Sequence, residues 1–325
     1  MRVLSAEDVV TALPMWAAID AMRRAFIAHS QGTTDTPLRN RAETGIGECL
    51  SMPAAVTGPE PALSVKVVTL FPNNEGAGLP LIHGAVLVFH PGCGRPLALM
   101  EGSALTAIRT GAASGLATDL LSRPGSSVAA VIGAGVQART QIEAVCAVRP
   151  IEEVRVYARK AAHVRNFVNE MSDRGFACSF IAADSPDEAL RGADIVCTAT
   201  SSMTPVFCDS ALEDGTHVNA VGAYRPDMQE IPGETICRAR LFVDAYDAAS
   251  VEAGDIIIPL SRGLITPDSI AGEIGQAASG TLPGRLDADG VTLFKSVGIG
   301  VQDTYAAVET LKRAEMMGIG SEVPW

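Results

Sequence analysis

Val128-Ala129-Ala130-Val131-Ile132-Gly133-Ala134-Gly135-Val136-Gln137-Ala138 is the stretch that decides the fold of this chain. A small, β-branched apolar run leads straight into Gly-x-Gly-x-x-Ala, and an amphipathic helical pattern follows. That order reads as the strand, turn and helix that receive a dinucleotide diphosphate. Gly133 permits the tight turn, Gly135 lets backbone approach the phosphates, and Ala138 lets the helix pack close to the sheet. The helix start at Val136 and Gln137 adds free N–H groups and a positive dipole end.

From residue 128 onward the pattern alternates. Segments 128–133, 154–158, 176–182, 194–199, 217–222 and 240–244 read as strands, with helical stretches between most of them. This predicts an α/β Rossmann domain, a doubly wound parallel sheet, over residues 124–297. Something of domain size precedes it. Ser5 is placed to cap a helix, and Pro14 separates two short helices. Residues 37–57 alternate weakly, with turns at Gly45 and Gly47, and Ala62–Leu70 is a strong strand. Ile82 to Phe89 and Arg95 to Met100 pair as a hairpin, and 103–121 is a helix of small residues. Pro124-Gly125 closes this α+β domain, residues 1–123.

The 325 residues suit two domains, and 47% apolar with 19% charged residues is the balance of a compact globular protein. A net charge of −12 argues against nucleic acid and anionic membranes as partners. No apolar run approaches the ~20 residues that span a bilayer, and the start lacks the pattern of a secretory signal. Seven scattered cysteines without C-x-x-C spacing give no disulfide framework or metal site, and the expected location is the cytoplasm.

Lys66 lies in the middle of an apolar strand. Two readings stand: an edge strand with Lys66 facing water, or a pocket ammonium that meets a carboxylate or works as acid and base. Arg109 sits alone in Leu105-Thr106-Ala107-Ile108-Arg109-Thr110-Gly111-Ala112-Ala113-Ser114, where small neighbours leave room for a ligand; the alternative is a surface arginine. Arg39 and Arg41 share a face if their stretch is a strand, which suits carboxylate capture or a solvated face. The second strand of the nucleotide domain ends Val156-Tyr157-Ala158-Arg159-Lys160, without the acid that selects NAD. Arg159 therefore favours NADP, with NAD also open.

Co-linear segments resemble the ornithine cyclodeaminase/μ-crystallin family. They are Met52-Pro53, Lys66-Val67-Val68-Thr69 with Phe71-Pro72-Asn73, Leu105 to Ser114, Val131 to Ala138, Val221 to Glu230, Phe294-Lys295-Ser296-Val297-Gly298 and Asp303. The resemblance implies a homodimer whose substrate-binding and dimerisation domain, 1–123, is completed by 298–325. It implies Arg39, Lys66 and Arg109 around a substrate carboxylate, with Lys66 catalytic; Arg41, if it joins Arg39, adds the charge that a second carboxylate would need. It further implies Arg109, Thr110, Thr200, Val221, Gly222, Ala223, Lys295, Ser296 and Gly298 on the cofactor side, joining Gly133, Gly135, Val136, Gln137, Ala138 and Arg159. The expected activity is NAD(P)H-dependent reduction of an α-imino acid to the L-amino acid, iminosuccinate to L-aspartate as first choice, or else a cyclic ketimine. Cyclodeaminases of the family carry aspartate where this chain has Tyr224, which sets it with the reductases. A cyclodeaminase-type lyase and a non-catalytic μ-crystallin-like binder are the alternatives.

Overall fold

The computed structural model describes residues 1–325, the side chain of residue 75 excepted. The chain divides into two compact units, Met1–Arg109 with Ile299–Trp325, and Thr110–Gly298.

In the first unit, Ser5 and Asp8 form a capping box on helix Ala6–Ala12, and Pro14 precedes a second helix, Met15–Ser30, which at sixteen residues is not short. Strands Glu48–Val56, Ala62–Leu70, Ile82–Phe89 and Pro96–Glu101 pair antiparallel in sequence order. Arg2–Leu4 joins Pro96–Glu101 in parallel, and Ser321–Glu322 pairs with Arg2–Leu4. Thr34–Asp35 and Asn40–Glu43 both pair with Glu48–Val56, so Ala62–Leu70 is a central strand and not an edge. The alternation of that strand sends Ser64, Lys66, Val68 and Leu70 inward. The inner face is covered by helix Gly300–Met317, whose first residue packs closely: a Cβ there would lie 3.0 Å from the Pro53 carbonyl oxygen. On the outer face Pro53, Val65, Leu87 and Leu99 stand in one cross-strand row, all apolar and none fully buried.

The second unit holds eight parallel strands, in the order Ser179–Ala182, Glu153–Tyr157, Val128–Ile132, Ile195–Thr198, His217–Ala220, Thr292–Lys295, Arg240–Val243, Ile270–Glu273. The doubly wound sheet is present, with two more strands than the sequence pattern suggests. Ile270–Glu273 and Thr292–Lys295 have four residues each, and Gly272 and the polar ends interrupt their apolar runs. Strand order reverses between Val128–Ile132 and Ile195–Thr198, which opens a crevice at their carboxyl ends.

Helix Gly102–Leu121 contains the division between the units, at Arg109 and Thr110, whereas the sequence reading places it at Pro124-Gly125. The reason is close packing. A Cβ on Gly111 would strike the backbone of Thr140, so the helix's second half is bonded to the nucleotide unit before any Pro-Gly break is reached. Among the described residues no helix is long and apolar enough to cross a membrane.

Candidate active site

In the first unit the inward register of Ala62–Leu70 brings two polar side chains onto the first turn of helix Gly300–Met317. The Ser64 hydroxyl meets Thr304 Oγ1 at 2.8 Å, and Lys66 Nζ meets Asp303 Oδ2 at 2.7 Å. The second oxygen of the same carboxylate lies 3.0 Å from Arg109 Nε, and Arg109 also donates to Gln302 Oε1 at 3.3 Å. Lys66 is 1% exposed, Arg109 5% and Asp303 0%. Two cations therefore share one buried anion.

Burial pulls the Lys66 ammonium down to about 7, the Arg109 charge adds to the fall, and Asp303 opposes it. Arg39 is near enough to push in the same direction as Arg109. The edge-strand reading of Lys66 fails, because the residue is buried on a central strand and its ammonium meets the Asp303 carboxylate. Arg39, Lys66 and Arg109 come together with a net positive charge, an environment for a carboxylate with an ammonium able to trade its proton near neutrality.

Arg41 is not part of that group. Its guanidinium lies 2.8 Å from Glu48 Oε2, diagonally across the strand pair, with its side chain 36% exposed. The strand begins at Asn40, so Arg39 precedes it and the shared-face argument for positions 39 and 41 fails.

In the second unit Gly133 has φ +112°, a conformation that favours glycine, and a Cβ on it would strike the Ala199 carbonyl. Gly135 is the N-cap of helix Val136–Val148, which has no side-chain cap, and a Cβ on Gly135 would meet nothing within 4 Å. Arg139 turns the carbonyls of Ala134 and Gly135 away by donating to both, at 2.8 and 2.9 Å. The Gly133 N–H donates to the Tyr157 carbonyl at 2.8 Å, while the first N–H groups of the helix have no carbonyl four residues back to bond. Gln137 Oε1 is buried without a hydrogen-bond partner, and Ala138 is fully buried against the sheet. An open, uncapped helix start beside an orphaned polar atom fits a dinucleotide diphosphate. Arg159 is exposed just past strand Glu153–Tyr157.

Thr200, Val221, Gly222 and Ala223 follow the carboxyl ends of Ile195–Thr198 and His217–Ala220, and one carboxylate joins them. Glu230 Oε2 accepts from Thr198 Oγ1 at 3.1 Å, Gly222 N–H at 2.7 Å and Ala223 N–H at 3.2 Å. Its Oε1 accepts from Thr200 N–H at 2.6 Å. Burial, and then Asp255 beside it, hold the Glu230 carboxyl above the usual range. Asp255 Oδ1 accepts from the Glu230 and Ile231 N–H groups, and its Oδ2 lies 2.8 Å from Lys295 Nζ. Lys295 is fully buried, with its ammonium against Asp255. Asp244 Oδ2 accepts from Ser296 Oγ, Val297 N–H and Gly298 N–H, which holds the following turn.

Asp303, Glu230, Asp255, Asp244 and Arg139 were not singled out as site residues by the sequence reading. Asp303 carries the one usable signal, since a lysine on the core face of a strand demands a buried acid. Among the described residues no three metal-ligating side chains gather.

The sequence matches the ornithine cyclodeaminase/mu-crystallin family over residues 1–316. The chain belongs to this family. It is 39% identical over 326 residues to a Delta(1)-pyrroline-2-carboxylate reductase of Bacillus cereus, covering 99% of each sequence. The Delta(1)-pyrroline-2-carboxylate reductase of Thermococcus litoralis, solved with NADH and L-proline, has TM-score 0.95 at 39% identity over 99% of this chain and 100% of that one. An archaeal alanine dehydrogenase dimer with bound NAD has TM-score 0.93 at 33% identity, covering 100% and 99%. The iminosuccinate reductase of Paracoccus denitrificans with NAD+ has TM-score 0.90 at 27% identity, covering 100% and 99%.

Proposed function

We propose that this chain reduces a small cyclic α-imino acid of the Δ1-pyrroline-2-carboxylate type to the L-amino acid. It is an NAD(P)-dependent oxidoreductase that acts on a carbon–nitrogen bond. The observation that carries the reading is the Lys66–Asp303–Arg109 arrangement, a carboxylate-binding cluster built around an ammonium that titrates near neutrality.

Arg39 and Arg109 hold the substrate carboxylate by charge-assisted hydrogen bonds. Lys66 donates its proton to the imine nitrogen, which makes the carbon a stronger hydride acceptor. The glycine turn and helix start, Gly133 to Gln137, would hold a reduced nicotinamide dinucleotide, which would supply the hydride. The C=N bond thereby gains one hydride and one proton, and Lys66 is left as the neutral amine until solvent returns the proton. Asp303, 2.7 Å from Lys66 Nζ, keeps the amine aimed.

Two observations favour a monocarboxylate over iminosuccinate. Arg41, the cation a second carboxylate would use, is engaged by Glu48. Identity to the two pyrroline-2-carboxylate reductases is 39%, against 27% for the iminosuccinate reductase. Tyr224, where the resemblance implies aspartate in cyclodeaminases, argues against the lyase. Arg159, exposed with no acid beside it, supports NADPH over NADH.

The apolar outer row Pro53, Val65, Leu87, Leu99 supports a homodimer through this sheet face, since an antiparallel sheet that is apolar on both faces needs a second cover. The relative solved as a dimer is in accord. All seven cysteines are free thiols, which supports a cytoplasmic location.

The test is a panel of Δ1-pyrroline-2-carboxylate, Δ1-piperideine-2-carboxylate, oxaloacetate with ammonia, and ornithine, each with NADH and NADPH. Stoichiometric dinucleotide oxidation with the cyclic imines is expected. Conversion of ornithine to proline without net dinucleotide change, or no turnover with any imine, overturns the reading.

A further inference from the structure

We propose that Glu230 is the positioning residue for the nicotinamide half of the dinucleotide, fixing the crevice wall opposite the glycine turn. This inference rests on the dinucleotide reading above and adds a residue and a role to it.

The argument follows one chain of close approaches, all within the second unit. The glycine turn abuts the loop after strand Ile195–Thr198, because a Cβ on Gly133 would strike the Ala199 carbonyl and lie 3.4 Å from Thr200 Cγ2. That loop abuts the next one, because a Cβ on Gly222 would strike the Thr200 backbone. The same Cβ would lie 2.5 Å from Glu230 Oε1. Behind both loops stands one fully buried carboxylate that receives four donors, three of them backbone N–H groups of Thr200, Gly222 and Ala223. A carboxylate is acceptor-only when ionised, and four donors satisfy both its oxygens. No other residue type supplies two acceptor oxygens at that reach.

The two pinned loops belong to the second mononucleotide half of a doubly wound sheet, on the far side of the switch point from strand Glu153–Tyr157. The adenosine half uses the turn at Gly133 and the end of Glu153–Tyr157, which Glu230 does not touch. Glu230 is itself held from below: Asp255 accepts from its N–H and from that of Ile231, and Lys295 neutralises Asp255. The assembly is a rigid strut from strand Thr292–Lys295 to the crevice wall, with no exposed member to contact a ligand. Its effect on the ligand is therefore indirect and local to one half.

Glu230→Gln tests this. The amide keeps one oxygen and turns an NH2 toward donors, which releases Thr200 or the Gly222–Ala223 pair. Dissociation constants are measured for NADH, NADPH and ADP-ribose, the last lacking the nicotinamide. The expected result is about tenfold weaker binding of both dinucleotides, the equivalent of one lost hydrogen bond, with ADP-ribose within twofold of the parent. Gly222→Ala, which parts the same loops from the other side, is expected to give the same split and carries the test if Glu230→Gln does not fold. Equal weakening of all three ligands, or no weakening of the dinucleotides, overturns the role assigned to Glu230. A parent protein that binds neither NADH nor NADPH overturns the dinucleotide reading and this inference with it.

Discussion

Asp303→Asn removes the one anion between Lys66 and Arg109 while preserving size. At 2.7 Å from Lys66 Nζ, and with an effective dielectric constant of about 20, the lost attraction is roughly 6 kcal/mol before relaxation. The asparagine oxygen still accepts a hydrogen bond, and side chains relax, so the realised change is the smaller one typical of an adjacent opposite charge, about 1–3 pH units. Asp303 holds the Lys66 pKa up against burial and Arg109, so its loss moves the midpoint downward, from about 7 to roughly 5. In the reductive direction Lys66 must carry its proton, and activity falls as pH rises through that midpoint. At pH 7 the protonated share drops from about one half to about one hundredth, so kcat/KM falls about fiftyfold and recovers on acidification. Amino acid oxidation needs the neutral amine, and its profile extends to lower pH by the same interval. The assay is the pH dependence of kcat/KM with Δ1-pyrroline-2-carboxylate, followed by nicotinamide absorbance, with Asp303→Glu as the charge-preserving control. An unmoved midpoint, or one that moves upward, refutes the reasoning.

Arg109→Lys keeps the charge but loses the planar fork that reaches both Asp303 and Gln302; KM for the imino acid should rise about tenfold or more, with a smaller change in kcat, in steady-state kinetics. Arg159→Ala should raise KM for NADPH about tenfold and leave NADH within twofold, and equal effects on the two would remove Arg159 from the 2′ site. Leu87→Arg places a charge in the apolar outer row; the parent is expected to sediment as a dimer and the variant as a monomer, and an unchanged dimer would move the interface elsewhere.

What was legible in the sequence depended on whether a residue's need was written in its own type. Gly133 is the clear case: its positive φ and its contact with Ala199 can be met only without a side chain, so the turn shows in the letters. Lys66 was half legible. A lysine among valines announces a cost, but strand position decides whether water or a partner meets it, and the order of the sheet is not a local property. Arg41 shows the opposite error. Its spacing from Arg39 suggested a common face, yet the strand starts between them, and Glu48 on the neighbouring strand claims it. Thr292–Lys295 escaped because a four-residue strand buried on both faces has no alternation to display.

The buried acids were hidden for a deeper reason. Asp255 stands in the first turn of helix Gly254–Ser261, where acids are expected for the dipole alone, so a local rule already accounted for it. Glu230 sits in a polar connection beside Gln229 and reads as loop. Three of its four donors, and two of the three that reach Asp244 Oδ2, are backbone N–H groups. Every residue except proline carries that group, so no sequence pattern marks the sites where several converge. A cation held by an acid leaves two letters to find, as Lys66 and Asp303 do. An acid held by backbone leaves one, and in a chain with 37 acidic residues one letter does not stand out. The positioning half of this site is for that reason a property of the folded backbone, and mutation of Glu230 is the way to reach it.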